Sequence, residues 1–239
     1  MNLIIDAIAW LLSGDRSKSD SIPEALGQHL LLTVISVLIA AAIAIPIGWL
    51  VGHTGRGRDA VVAVSGAARA VPSFGLIILL VLLLGVLHKP EAAVITFVLL
   101  AIPSLLAGAY TGFEAIDRAT IDAGRAVGMT EWQVLWRIEV PLGLPLLVGG
   151  IRAATLQVIA TVTLAAYVNV GGLGQYIITG LPLRRFDMVL GGALLVAALA
   201  LAVDGLFALT QRLAVPRGVR AASDRHSAPK TSRRRPVPA

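Results

Sequence analysis

Few residues of this 239-residue chain could do chemistry, and none is spaced for making or breaking bonds. There is no cysteine, which excludes thiolate ligands, disulfides and a cysteine nucleophile. The four histidines, His29, His53, His88 and His226, stand too far apart for a metal-ligand pattern such as H-x-x-x-H, so no metal site is expected. Gly52-His53-Thr54-Gly55-Arg56-Gly57-Arg58 lacks the G-x-x-x-x-G-K-[ST] spacing that cradles phosphates and reads as a tight basic loop. The chain is therefore not expected to hydrolyse ATP by itself, nor to be an enzyme of any kind. An intramembrane enzyme would need a nucleophile and base at depth, and neither an H-E-x-x-H motif nor a mid-span acidic pair occurs. What remains is patterned charge. Glu114, Arg118, Asp122 and Arg125 recur at helical spacing with alternating sign, and Arg69, Arg152 and Asp204 interrupt otherwise apolar stretches.

Those stretches dominate the composition. Hydrophobic residues make up 56% of the chain and charged residues only 14%, with mean hydropathy +0.83, against roughly 25% charge in an average soluble domain. A helix needs about 20 apolar residues to cross a hydrocarbon core of about 30 Å. The pattern predicts an all-α integral membrane protein with about five transmembrane helices near 29–52, 60–87, 91–112, 143–168 and 188–210. Proline inside a helix removes a hydrogen bond and can break it. Splitting 60–87 at Pro72 would leave two pieces too short to span, so this segment is expected to be one kinked helix. Gly171-Gly172-Leu173-Gly174 should end the fourth span near 168.

Lys and Arg counts orient the spans. With the N-terminus outside, the inner segments carry thirteen basic residues and the outer ones five, so the topology is N-out, C-in. Residues 1–28 form an outer segment. Its first twelve residues lack the basic start and cleavage site of a signal peptide and read as a short interfacial helix. Residues 211–239 hold eight basic residues and one acidic, whereas 1–210 hold twelve basic and thirteen acidic. The chain's net charge of +6 therefore belongs to a tail. It is expected to be disordered and cytoplasmic and to touch anionic lipid, each basic residue near the surface adding about 1 kcal/mol. No nucleic-acid face is expected.

The inner segment 113–141 is the one sizeable polar block between spans. Its charged ladder should stack on one helical face, with Ile116, Thr120, Ala123 and Val127 opposite. Gly128 should end that helix in the left-handed conformation that glycine adopts most cheaply. Thr130-Glu131-Trp132-Gln133 then reads as a capping box. It opens a second short helix with Trp132, Leu135 and Trp136 on one face, ended by Pro141. The segment is either a solvated hairpin or a surface built to dock on a cytosolic partner.

Within it, Asp122-Ala123-Gly124, three residues, Gly128, nine residues, Ile138, one residue and Val140-Pro141 resembles the EAA loop of permease subunits of binding-protein-dependent ATP-binding-cassette importers. Asp122, Gly124 and Val140 depart from the usual glutamate, alanine and leucine. Val71-Pro72-Ser73-Phe74-Gly75-Leu76, Gly150-Ile151-Arg152-Ala153-Ala154-Thr155 and Gly171-Gly172-Leu173-Gly174 are similar to the subfamily that imports osmoprotectants, quaternary amines such as glycine betaine, choline and carnitine. The resemblance runs from about residue 30 to 210. It implies a MetI-like permease core of five spans in a bacterial cytoplasmic membrane, with Glu114, Arg118, Asp122, Ala123, Gly124, Gly128, Trp132, Trp136, Ile138 and Pro141 in a coupling-helix loop. The implied partners are a cytosolic ATPase that uses ATP and Mg, a second permease subunit and an extracytoplasmic solute-binding protein. This chain itself would bind no cofactor. An importer for amino acids or another small solute is the alternative; a secondary transporter would more often show internal repeats and midplane ionisable groups.

Charges in a bilayer require partners or water, because each costs at least ~2.5–3.5 kcal/mol at mid-membrane. Asp204 is expected to pair with Arg152 or Arg69, unless Arg69, beside Pro72, lines the solute path or reaches the headgroups. Pro72, Ser73, Gln157, Thr161 and Tyr167 are the candidate path residues. Interhelical hydrogen bonding is the competing reading for the polar residues of the fourth span. No aromatic cage for a quaternary ammonium is visible, so selection is expected to lie in the separate binding protein.

Overall fold

The computed structural model describes residues 2–13 and 21–214; the expected disordered tail lies almost wholly outside the described residues. A short helix α1 (Leu3–Ser13) is followed by the long α2 (Ile22–Thr54). Then come α3 (Arg58–Ala70), α4 (Ser73–Leu84) and α5 (Lys89–Glu114). The polar loop contributes α6 (Arg118–Ala126) and α7 (Glu131–Val134), which runs through a π-helical turn (Leu135–Glu139) into α8 (Val140–Val162). A 3₁₀ segment (Thr163–Val168), α9 (Gly174–Gly180) and α10 (Phe186–Ala214) complete the order. Among the described residues, four helices are long and apolar enough to cross a membrane, Ile22–Thr54, Val86–Glu114, Glu131–Val168 and Phe186–Thr210, and the bent pair α3–α4, taken together, makes a fifth span.

The segment expected to be one kinked helix is broken. α3 and α4 meet at 87°. Val71 adopts φ −71°, ψ 125° and Pro72 φ −63°, ψ 114°. The ring of Pro72 disfavours a helical conformation in the residue before it and offers no N–H to continue the ladder, so the chain leaves α3 extended and restarts at Ser73. The first span also starts earlier than 29, at Ile22, where Pro23 occupies a first-turn position that has no hydrogen bond to lose.

Pro141 does not end the second loop helix as expected. Val140 N donates to Leu135 O across the wide π-turn, and Pro141 falls at the first turn of α8. The missing donor is absorbed by the widened turn, and the helix continues from Glu131 to Val168.

α5 is the centre of the bundle, buried along its length from Ala92 to Phe113 and packed between α2 and α8. Helices in lipid associate by close packing of small residues rather than by expelling water. Gly108 of α5 and Gly150 of α8 make that contact: a Cβ on Gly108 would stand 2.7 Å from the Gly150 Cα. Backbone cannot yield as a flexible side chain does. Gly108→Ala is therefore expected to separate α5 from α8 and lower stability by about 1–3 kcal/mol, read as a lower melting temperature of the purified subunit. Gly66→Ala, with nothing within 4 Å of its Cβ, is the control that should not.

A second core cluster joins α1 to α9 and α10. The Trp10 ring meets Tyr176 edge-on at a centroid distance of 5.3 Å and packs with Leu173 and Met188. The first helix is thus anchored by its tryptophan, while Leu3, Ile4, Ile5, Ile8 and Leu12 remain exposed.

Candidate functional site

The polar loop is built in two pieces that fix each other. α6 is capped by Asp117, whose carboxylate accepts from Ala119 N at 3.0 Å. It ends at Gly128, φ +87°, where Gly128 N donates to Arg125 O at 2.9 Å and Met129 N to Gly124 O at 3.2 Å. Thr130 and Gln133 then form both bonds of a capping box: Gln133 N to Thr130 Oγ1 at 3.3 Å and Thr130 N to Gln133 Oε1 at 2.9 Å. Arg125 closes the hairpin by donating through Nε and Nη2 to the two oxygens of Glu131 at 2.8 and 2.9 Å. The Glu131 carboxylate in turn raises the Arg125 pKa above its ordinary value.

The four-residue ladder does not lie on one helix. Glu114 is the last residue of α5, and Ala115–Asp117 interrupt the helix before Arg118. Glu114 instead takes a hydrogen bond from the Tyr110 hydroxyl at 2.6 Å and pairs with Arg58 of α3 at 2.9 Å. Asp122 and Arg125 remain one turn apart, 3.6 Å between charges, and Arg118 is exposed.

Of the expected apolar face, Ile116 is buried against Phe113, Ile121 and Val134, but the rest is shifted. Ile121 and Gly124 are the buried residues of α6, while Thr120 and Ala123 are exposed and Val127 is 79% exposed. The reason lies in Ile138: a Cβ on Gly124 would stand 2.6 Å from the Ile138 Cδ1. The helix approaches the π-turn on its glycine side. The departure from alanine at Gly124 thus falls where the two halves of the loop come into close contact.

Trp132 is 69% exposed and Trp136 is also exposed. Their rings meet edge to face at 5.9 Å. Two large apolar rings are thus exposed side by side on a capped and ion-paired hairpin.

The intramembrane charges separate into two cases. Arg152 donates Nε to Asp204 Oδ1 at 2.6 Å and Nη2 to Asp204 Oδ2 at 2.7 Å, a two-pronged pair joining α8 to α10. Arg69, at the end of α3, is exposed, and no ion pair reaches it among the described residues.

The candidate path residues also divide. Gln157 turns toward α5, accepting from the Ser104 hydroxyl at 3.2 Å and donating to Leu100 O at 3.2 Å. Thr161 donates to Gln157 O at 2.7 Å. Both make hydrogen bonds within the bundle. Pro72, Ser73 and Tyr167 gather at the α3–α4 break, where Tyr167 meets Phe74 edge-on at 4.8 Å with both rings about half exposed. This pairing of Phe74 with Tyr167, across a large sequence separation, was not legible in either segment alone.

Sequence reasoning also missed Gln28 and His29. Gly172 N donates to Gln28 Oε1 at 2.9 Å and Leu173 N to His29 Nδ1 at 3.3 Å, while His29 Nε2 reaches Ile159 O at 3.0 Å. Because Nδ1 accepts, the proton sits on Nε2 and is donated to the carbonyl. α2 thereby holds the glycine-rich turn after the fourth span. A polar Gln-His dipeptide two turns into an apolar helix was the available signal.

A multi-helical membrane bundle with a broken second span and a capped polar hairpin between the third and fourth is the architecture of a transport permease. The chain belongs to the family described as binding-protein-dependent transport system inner membrane component, which matches residues 44–215. It is 32% identical over 193 residues to a glycine betaine/carnitine/choline transport system permease protein of Bacillus subtilis, covering 81% of this chain and 88% of that one. It is 34% identical to a carnitine transport permease protein of Listeria monocytogenes, covering 82% and 89%. An osmoprotectant import permease protein of Salmonella typhimurium is 33% identical, covering 81% and 91%. The fold is also that of an inward-facing methionine ATP-binding-cassette transporter chain, at TM-score 0.71 and 19% identity, covering 82% of this chain and 96% of that one. The chain is thus a multi-pass permease subunit of an ATP-binding-cassette importer.

Proposed function

We propose that this permease carries a small quaternary-amine osmolyte, such as glycine betaine, choline or carnitine, and that residues 113–141 dock a separate cytosolic ATPase that uses ATP and Mg. The exposed Trp132–Trp136 pair on its capped, ion-paired hairpin is the observation that supports docking. Two hydrogen bonds of a capping box and a bidentate Arg125–Glu131 pair hold that surface in one shape, so binding loses little entropy. The substrate class rests on relatives at 32–34% identity over about four-fifths of the chain. A permease for amino acids would share the same fold, but none of those three relatives carries that description.

The Phe74–Tyr167 pair beside the α3–α4 break offers ring surface to a passing cation. Two rings are too few to enclose a quaternary ammonium, which suits a path that releases its solute rather than retaining it. Discrimination then falls to an extracytoplasmic solute-binding protein. Five spans are few to surround a path, so a second permease subunit, identical or related, completes it. The excess of inner Lys and Arg supports an N-out, C-in orientation, with the basic tail at anionic lipid.

Proteoliposomes containing the permease, its ATPase and its receptor should accumulate labelled betaine or choline only when ATP is supplied. Uptake driven by a proton gradient without the ATPase would overturn the ATP-driven reading. ATP-dependent uptake of an amino acid but of no quaternary amine would overturn the substrate assignment.

A further inference from the structure

Trp49 and His53 lie one turn apart near the end of α2 and so share a face. Two routes of contact lead from them into the polar loop. On the polar route, His53 Nδ1 is 2.5 Å from Glu139 Oε2 and His53 Nε2 is 3.6 Å from Glu131 Oε2. Glu131 in turn holds Arg125 in its two-pronged pair. Glu139 is 2% exposed, a carboxylate buried in the π-turn that His53 satisfies from another helix.

The aromatic route runs beside it. Trp132 contacts Trp136 at 5.9 Å, Trp136 contacts Trp49 at 5.8 Å, and Trp49 stacks on Phe113 of α5 at 6.1 Å with the rings 6° from parallel. Both exposed ends of the loop, Arg125 and Trp132, are therefore two contacts from α2.

α2 is in turn locked to α5. A Cβ on Gly48 would stand 2.6 Å from the Ala109 Cβ, and one on Gly52 would stand 2.8 Å from the Phe113 Cβ. Helices this close move as one body, because a packed interface has no slack for small relative shifts.

We propose that Trp49 and His53 are positioning residues for transport: they receive the displacement of the loop when the ATPase moves it and pass it to α2 and α5 together. This rests on the docking role given above to residues 113–141. Separate variants keep the two claims apart.

The test uses the complete importer in proteoliposomes, with ATP hydrolysis and solute uptake measured on the same preparation. His53→Ala and Trp49→Leu are expected to keep the ATPase bound and hydrolysing while solute moved per ATP falls about tenfold, within the range of coupling carried by single residues. A residue that only supports folding would lower both activities together and leave that ratio unchanged. An unchanged ratio, or loss of the ATPase from the complex in these variants, overturns the proposal.

Because the natural chain has no cysteine, His53→Cys combined with Glu139→Cys allows a second measurement. Unbridged, the pair should be uncoupled; joined by a short bifunctional thiol reagent, it should recover solute moved per ATP. Failure of bridging to restore the ratio also overturns the proposal, and this comparison decides the matter if the alanine variant does not accumulate. Trp132→Ala with Trp136→Ala addresses the docking role itself. If that double variant keeps the ATPase bound, docking by this face is wrong; if it loses the ATPase while His53→Ala leaves the ratio unchanged, docking stands and transmission through α2 fails.

Discussion

Gly128→Val is expected to leave the permease in the membrane at normal abundance and to lose ATPase association and uptake together, by about five- to thirtyfold, the population shift that 1–2 kcal/mol of left-handed backbone strain produces. The glycine has φ +87° and nothing within 4 Å of the position its Cβ would take. Steric damage to the core is thus absent, and the entire effect falls on the turn. A β-branched residue is strongly disfavoured at that φ, so the chain must rotate out of it. That rotation breaks the bonds from Gly128 N to Arg125 O and from Met129 N to Gly124 O. It also swings α7, carrying Trp132, away from α6 and opens the Arg125–Glu131 pair. Gly128→Asn is the control, since asparagine tolerates positive φ, and most function should persist. Co-purification of the ATPase with detergent-solubilised permease, alongside uptake, reads both variants. Normal association in the valine variant would show that the hairpin's shape does not matter to docking.

The same turn shows which features were readable from sequence. Gly128 and the Thr130–Gln133 box act through neighbours three or four residues away, so residue type and spacing alone place them. Pro72 is a breaker by residue type alone, but the choice between a kink and a right-angled break depends on what the restarted helix packs against. α4 packs on α5, which no local pattern reports. Glu114 failed for the same reason. Its spacing fits a ladder with Arg118, but Arg58 and Tyr110 compete for it from elsewhere in the bundle. Glu139 and His53 were invisible as a pair because each alone looks like a polar residue at a span end. Asp204 can pair with Arg152 or Arg69 as far as sequence tells, since sequence gives depth along a helix but not the direction a side chain faces around the bundle.

That ion pair gives the other large expected effect. Asp204→Leu should lower the amount of permease assembled in the membrane and its melting temperature, because it strands the Arg152 charge within a helix span. Arg152 and Asp204 are each about one-third exposed on the bare chain. In a bilayer such exposure meets lipid or a second subunit as readily as water, so the arginine has little solvation to fall back on. Its two parallel hydrogen bonds, at 2.6 and 2.7 Å, supply geometry as well as charge. Asp204→Asn keeps one acceptor and should fall between wild type and the leucine variant. Replacing both residues, Arg152→Leu with Asp204→Leu, removes the stranded charge and should recover much of the lost stability, because an ion pair held away from bulk water is worth less than the penalty of breaking it. Recovery of assembly without recovery of uptake would mean that the pair also sets how α10 moves against α8. Normal assembly and transport in the asparagine variant and the single leucine variant alike would remove the pair from any structural role.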